Sequence, residues 1–281
     1  MVEVEDEPLS FEHFEKLPEY HSVNREFVEK IPIKNHQTIV EVASGRGKVT
    51  GLLLEKAPEV KIICIEPESK YLVAAQEQFA RPNVYFVQGR VEDLSQILAK
   101  EVDGVVIGNA IHNFCQKQKV IEAVYKVLKP GGFFAFNSAF AKEGVPAGEK
   151  PFYLRWMVRA KRRLQEIAKT CPDIITIERR AEARNQLSLV EYKALLEESG
   201  FKIIIDENEV TTCVNLTLDA CQAISKDPDF ILCLLDELNP EKEEYLRIGS
   251  QILAESAAEA FNRLGKTSST RVWIELVAEK Q

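Results

Sequence analysis

The chain has 281 residues, 45% hydrophobic and 28% charged, which fits one large α/β domain with insertions better than two small domains. A formal net charge of −8 argues against a broad nucleic-acid surface, and no run of about 18 apolar residues offers a membrane span. Cys64, Cys115, Cys171, Cys213, Cys221 and Cys233 form no Cys-x-x-Cys pair and the four histidines are scattered, so neither a disulfide framework nor a metal site is signalled.

The acidic start, Met1-Val2-Glu3-Val4-Glu5-Asp6-Glu7, is unlike a basic leader, and a cytoplasmic protein is expected. Leu9–Ile31 is predicted as two short helices broken at Pro18, part of a lid segment over residues 1–37 ahead of a main domain over 38–281. From Thr38 to Ala139, short apolar β-rich runs alternate with helical segments, the pattern of a parallel sheet. The predicted strands are Thr38–Ala43, Lys61–Glu66, Asn83–Gln88, Val102–Gly108 and Gly132–Ser138. Helices are predicted near Lys48–Lys56, Ser69–Phe79, Glu92–Ala99 and Gln116–Leu128, and right-handed crossovers put them on both faces. Ser188–Ser199 opens with a Ser188-x-x-Glu191 capping box and stops at Gly200. Strands at Phe201–Asp206 and Thr270–Val277 then complete a doubly wound, mostly parallel, seven-stranded Rossmann-like sheet.

Helical cap inserts are expected at about residues 145–185 and 216–264. In the first, Tyr153, Trp156, Met157, Ala160, Leu164 and Ile167 share one helical face, with Arg155, Arg159, Arg162, Arg163 and Lys169 mostly elsewhere. In the second, Asn239 is a candidate N-cap with Pro240 at the first helical position. Glu241, Glu243 and Glu244 suit the positive helix end, and Gly265 is the stop.

The run Thr38–Val42 leads directly into Ala43-Ser44-Gly45-Arg46-Gly47-Lys48, a glycine turn between strand and helix that suits close approach of a nucleotide-shaped ligand. A dinucleotide fingerprint needs a third glycine where Thr50 stands, so an NAD reading is weakened. Glu66 ends the second strand about twenty residues beyond the turn, where a carboxylate accepts from both ribose hydroxyls. After the third strand, Gln88-Gly89-Arg90-Val91-Glu92-Asp93 offers a backbone N–H and an acidic side chain to an adenine, although Glu92 and Asp93 equally suit a helix start.

Glu41-x-Ala43-x-Gly45-x-Gly47 resembles the first motif of the class I S-adenosylmethionine-dependent methyltransferases. Gly108-Asn109-Ala110-Ile111-His112-Asn113-Phe114 is similar to the segment ending their fourth strand, and Leu128-Lys129-Pro130-Gly131-Gly132-Phe133 to the turn before their fifth. The likeness is closest to the small-molecule branch. It implies S-adenosyl-L-methionine as cofactor, with Glu41 orienting the turn and Ala43, Gly45 and Gly47 bordering the methionyl and ribose parts. By the same resemblance Glu66 holds the ribose, Pro67 and Tyr71 face the adenine, Val91 offers its N–H and Glu92 accepts from the adenine amino group. Asn109 and Ala110 are placed beneath the methionyl portion. Ala43 replaces the motif's first glycine, and its methyl group is tolerable there only at negative φ.

Methyl transfer from a sulfonium needs positioning more than acid–base help: orientation contributes roughly 7–11 kcal/mol and a general base about 3–5 kcal/mol. His112, after the fourth strand, is the base candidate, with a packed, hydrogen-bonded histidine as the alternative. Tyr20 and His21 are further candidates on a segment able to close over the cofactor, against a plain surface pair. Lys150–Lys169 carries seven basic residues and one acidic one, which suits either an anionic acceptor or a solvated helix face. The function expected is methylation, at oxygen or carbon, of a small and at least partly apolar acceptor, the apolar character resting on Phe152, Trp156, Met157 and Phe230–Leu235. The rivals are a catalytically silent cofactor-binding regulatory module and an NAD(P)-dependent oxidoreductase.

Overall fold

Successive residues of a strand point to opposite faces of a sheet, so a strand covered on both sides is apolar at nearly every position. The computed structural model, which describes residues 13, 16–170, 186–227, 231 and 243–281, shows this division. The strands are β1 (Thr38–Val42), β2 (Lys61–Glu66), β3 (Val84–Gln88), β4 (Val102–Ile107), β5 (Leu128–Ser138), β6 (Phe201–Ile203), β7 (Thr211–Thr217) and β8 (Ser268–Lys280). Val40, Val42, Ile65, Val105, Ile107, Phe134 and Phe136 enter one buried cluster, while Ile39, Ile62, Cys64, Val106, Phe133 and Ala135 enter the other. Helix α1 (Pro18–Lys30) and helix α2 (Lys48–Lys56) cover the second face with Phe27, Val28, Leu52 and Leu53.

The sheet has eight strands in the order β3-β2-β1-β4-β5-β8-β6, with β7 pairing β8 off this path. Strands β1 to β5 are parallel, and β8 runs antiparallel to β5 and β6. The crossovers between the parallel strands carry α2, α3 (Ser69–Phe79), α4 (Leu94–Ile97) and α5 (Lys117–Val127). The doubly wound reading holds, with one strand more than the seven expected. Thr211–Thr217 alternates exposed and buried positions strictly, a period of two that the expected helical insert from Leu216 obscured. Strand β5 begins at Leu128 rather than Gly132: its pairing with β4 shifts register between Val102 and Gly104, and Gly131 has φ +72°.

The capping box at Ser188 is formed: its Oγ accepts from Glu191 N–H at 3.2 Å and its N–H donates to the Glu191 carboxylate at 2.6 Å. Gly200, at φ +89°, ends that helix.

Two compact units are present. One contains Ser22–Gly144, Arg184–Cys213 and Val272–Gln281, and so most of the sheet; the described parts of Met1–His21, Val145–Ala183 and Val214–Arg271 make the other. Within the expected lid segment, a helix begins at Pro18, where the break was expected, and Val23, Asn24, Phe27 and Val28 on it are buried; most of the stretch before it lies outside the described residues. In the second unit Phe152, Trp156, Ala160 and Leu164 are fully buried, the Phe152 ring packs tilted against that of Phe261 at 4.5 Å, and Trp156 Nε1 donates to the Leu253 carbonyl at 3.1 Å. These side chains are core of a helical layer that includes Glu243–Leu264, which Gly265 ends at φ +60°. Asn239, Pro240 and Glu241, and all of Phe230–Leu235 except the buried Ile231, lie outside the described residues. Among the described residues no helix is long and apolar enough to cross a membrane.

Candidate active site

The strand order reverses direction between β1 and β4, and open α/β sheets bind ligands in the crevice outside the carboxyl ends at such a switch point. Two turns flank it in this unit: Ala43–Gly47 after β1 and Gly108–His112 after β4.

The first turn is left-handed at three residues, Ala43 (φ +53°), Gly45 (φ +53°) and Gly47 (φ +82°). Ser44 N–H donates to the Ile65 carbonyl at 3.3 Å and Gly47 N–H to the Ser44 carbonyl at 2.9 Å, which anchors the turn to β2. A Cβ on Gly47 would lie 2.7 Å from the Phe79 ring, and one on Gly51 3.0 Å from it, so both glycines admit the end of α3 against the start of α2. A Cβ on Gly45 would meet nothing within 4 Å. The turn is thus open at Gly45 and closed at Gly47.

The expectation that Ala43 keeps negative φ is overturned, because the turn imposes the left-handed conformation and the surrounding bonds hold an L-residue in it at about 1–2 kcal/mol. Ala43→Gly should therefore be stabilising: relief of that strain exceeds the roughly 0.5–1 kcal/mol entropic disadvantage of glycine, and Tm should rise by about 2 °C in a thermal melt. A lower Tm would show that the strain is not there.

Glu66 closes β2 with one carboxylate oxygen on the turn and the other on the backbone that follows β2. Oε2 accepts Gly45 N–H at 2.9 Å and Oε1 accepts Glu68 N–H at 3.1 Å. Each oxygen has a second lone pair, so the group can still accept two hydroxyls. Burial holds the Glu66 carboxyl above the usual carboxylate range, against the downward pull of the Gly45 and Glu68 N–H donors.

Glu41, buried in β1, accepts from the Thr50 hydroxyl, and Thr50 Oγ1 lies 3.3 Å from Cys64 Sγ on β2. This explains the residue at position 50. A glycine there would let helix and strand close up, whereas this chain uses a hydroxyl to tie α2 to the floor of the turn. Burial pushes Glu41 from the ordinary 4.5 up to about 8, helped by the nearby Glu66 charge and opposed by the Thr50 bond. Ser44 Oγ, also buried, has no hydrogen-bond partner among the described residues, which costs about 1–3 kcal/mol unless a ligand or water meets it. Sequence reading passed over Ser44, and only its burial in the turn distinguishes it.

Pro67 is exposed and Tyr71 half-buried on the first turn of α3. Val91 is buried at the start of a 3₁₀ turn, whose first N–H groups have no partner within the turn, and Glu92 is exposed beside it. Asp93 is used as a cap, its carboxylate accepting Arg90 N–H at 3.3 Å. Past β4, Asn109 is left-handed at φ +45° and Ala110 is buried. His112 is buried in the 3₁₀ turn Ile111–Asn113, with Nδ1 3.0 Å from Ser138 Oγ and its ring 4.4 Å from that of Phe140. Both readings of His112 describe part of this: it is packed and bonded, and it stands at the carboxyl ends of β4 and β5. Tyr20 and His21 fall in the other compact unit.

Residues 39–132 match the family described as a methyltransferase domain. Across 120 residues the chain is 32% identical to the arsenite methyltransferase of Mus musculus, a match covering 41% of this chain and 30% of that protein. It is 31% identical over 120 residues to the ornithine lipid N-methyltransferase of Singulisphaera acidiphila, covering 40% and 62%. The fold is shared with the YcgJ protein of Bacillus subtilis at TM-score 0.57 and 17% identity, over 93% of this chain and 99% of that one. Residues 39–132 carry a methyltransferase domain. The chain spans less than two thirds of the curated relatives it matches.

The turn suits S-adenosyl-L-methionine: Glu66 has acceptor capacity to spare, the space over Gly45 is open, and Ser44 Oγ has no partner among the described residues. A shallow cavity of about 230 Å³ lined by Arg25, Val28, Glu29, Leu52, Glu55 and Lys56 includes none of these residues and is crossed by the Arg25–Glu55 and Lys56–Glu29 ion pairs. Two basic residues of the 145–185 insert face carboxylates of their own unit. Arg159 pairs with Glu259 at 2.9 Å and Arg163 with Glu255 at 2.8 Å, the arrangement of a solvated helix face.

Proposed function

We propose that the chain is a methyltransferase that moves the methyl group of S-adenosyl-L-methionine to a small-molecule acceptor, at oxygen or carbon. The observation that carries this reading is Glu66: a buried carboxylate at the switch point, bonded to the glycine turn and still able to accept two hydroxyls. In this reading Glu66 holds the ribose, Gly45 and Gly47 border it, and Pro67, Tyr71, Val91 and Glu92 surround the adenine. Asn109 and Ala110 lie under the methionyl end, and Glu41 holds the turn through Thr50 and α2. The cofactor supplies a methyl group already activated on sulfur; the chain's part is to orient the acceptor and exclude water.

His112 is the side chain placed to meet the acceptor, with Ser138 setting the orientation of its ring. The half-buried Phe140 ring against it supports a partly apolar acceptor. Phe152 and Trp156 carry none of this argument, since both are consumed in the core of the other unit. The dinucleotide rival is disfavoured by Thr50, whose hydroxyl bond to Glu41 occupies the place where a glycine would be needed.

Calorimetry with S-adenosylhomocysteine and with NADH separates the readings, and only the former should bind. Incubation with methyl-labelled S-adenosyl-L-methionine and fractionated small-molecule extract should then label a product. Cofactor binding without any labelled product across such extracts would favour a silent binding module.

A further inference from the structure

The turn after β4 is held by amides from elements distant in sequence. Asn109 N–H donates to Asn137 Oδ1 at 2.7 Å, and Asn109 Oδ1 accepts Ala139 N–H at 3.0 Å, so the end of β4 is fastened to the end of β5 from both sides. Asn137 is fully buried, and its Nδ2 donates to Asn24 Oδ1 at 3.2 Å. Asn24, itself buried, belongs to the part of α1 that packs on the sheet. The Asn24 bond fixes which end of the Asn137 amide faces Asn109, because an amide that donates from Nδ2 on one side presents Oδ1 on the other. Asn109 needs this help: at φ +45° its backbone is in a conformation that L-residues leave when nothing holds them.

We propose that Asn137, oriented by Asn24, is a positioning residue for cofactor binding, setting the backbone of Asn109 beneath the methionyl end of S-adenosyl-L-methionine. This rests on the assignment of that cofactor to the β1–β4 switch point. The layer has a second member in α1, where Lys30 pairs with the buried Glu275, the β8 residue in register with Asn137. α1 is therefore bonded to the strands that hold the turn and not only packed on the sheet.

The test compares two ligands that share the adenosine part and differ in the amino-acid tail. Calorimetry is run with S-adenosylhomocysteine and with 5′-methylthioadenosine on the full chain, on Asn137→Leu and on Asn24→Ala. Asn137→Leu should weaken S-adenosylhomocysteine about tenfold and leave 5′-methylthioadenosine within about twofold, since the lost buried hydrogen bond acts only on the tail. Asn24→Ala keeps the Asn109–Asn137 bond and should give a smaller loss, about threefold, with the same selectivity; it also serves if Asn137→Leu does not fold. Equal losses for both ligands, or none for either, would overturn the proposal, because a merely structural role weakens both alike. Failure of the unsubstituted chain to bind either ligand would overturn the cofactor assignment and this inference with it, an outcome distinct from unaltered selectivity in a chain that binds both.

Discussion

Glu66→Ala is expected to weaken S-adenosylhomocysteine binding about 100-fold by calorimetry. Two hydroxyl donors to one carboxylate make charge-assisted bonds of about 1.5–3 kcal/mol each, and every factor of ten in affinity corresponds to about 1.4 kcal/mol. Glu66→Gln keeps one carbonyl acceptor and sets an NH₂ where the other oxygen accepts a backbone N–H, so it should lose about tenfold. A pH series adds a second readout. Burial raises the Glu66 pKa, and the ligand's hydroxyls need the ionised acceptor. Binding must therefore strengthen as pH rises through that elevated pKa and weaken below it, and Glu66→Gln should flatten this part of the profile. Affinity within about threefold of the unsubstituted chain for both variants would remove Glu66 from the site.

The place of Glu66 at the end of β2 was legible in the sequence because a strand covered on both sides is unbroken apolar sequence that stops at this carboxylate. The limits of β2, α2 and α3 were readable for similar reasons. Ala43 was misjudged because local sterics gave the cost of a Cβ at positive φ correctly but not the turn's hold on the backbone. β7 was missed because Thr211–Thr217 mixes threonine, asparagine and cysteine, a weak alternation beside a helical run. Asn24 and Asn137 are 113 residues apart, and His112 and Ser138 are 26 apart, so their bonds exist only through the sheet's strand order. The arginines of the Lys150–Lys169 stretch looked available for the same reason. The carboxylate that Arg163 meets is 92 residues further along.

Burial raises both carboxylates at the glycine turn, and the expected effect of Glu41 is on stability where that of Glu66 is on binding. Glu41 titrates at about 8 in the folded chain, against 4.5 ordinarily, with burial the main cause. Between those values the unfolded chain has lost this proton while the folded chain keeps it, so the group's contribution to stability falls as pH rises. The slope is about 1.4 kcal/mol per pH unit until the pH passes about 8, where both states are ionised. Glu41→Gln removes the titration while its carbonyl can still accept from the Thr50 hydroxyl. Urea unfolding of both chains should show the variant gaining about 3 kcal/mol on the unsubstituted protein between about pH 5 and about pH 7.5. The neighbouring Glu66, shifted the same way by burial, titrates in both chains and largely drops out of the difference. Parallel stability curves would mean that Glu41 ionises normally in the folded state, and that the turn rests on a charged floor instead of a neutral one. A neutral floor leaves Glu66 as the carboxylate of the turn with acceptor capacity for hydroxyl donors, which is the division of labour that the proposed ribose site requires.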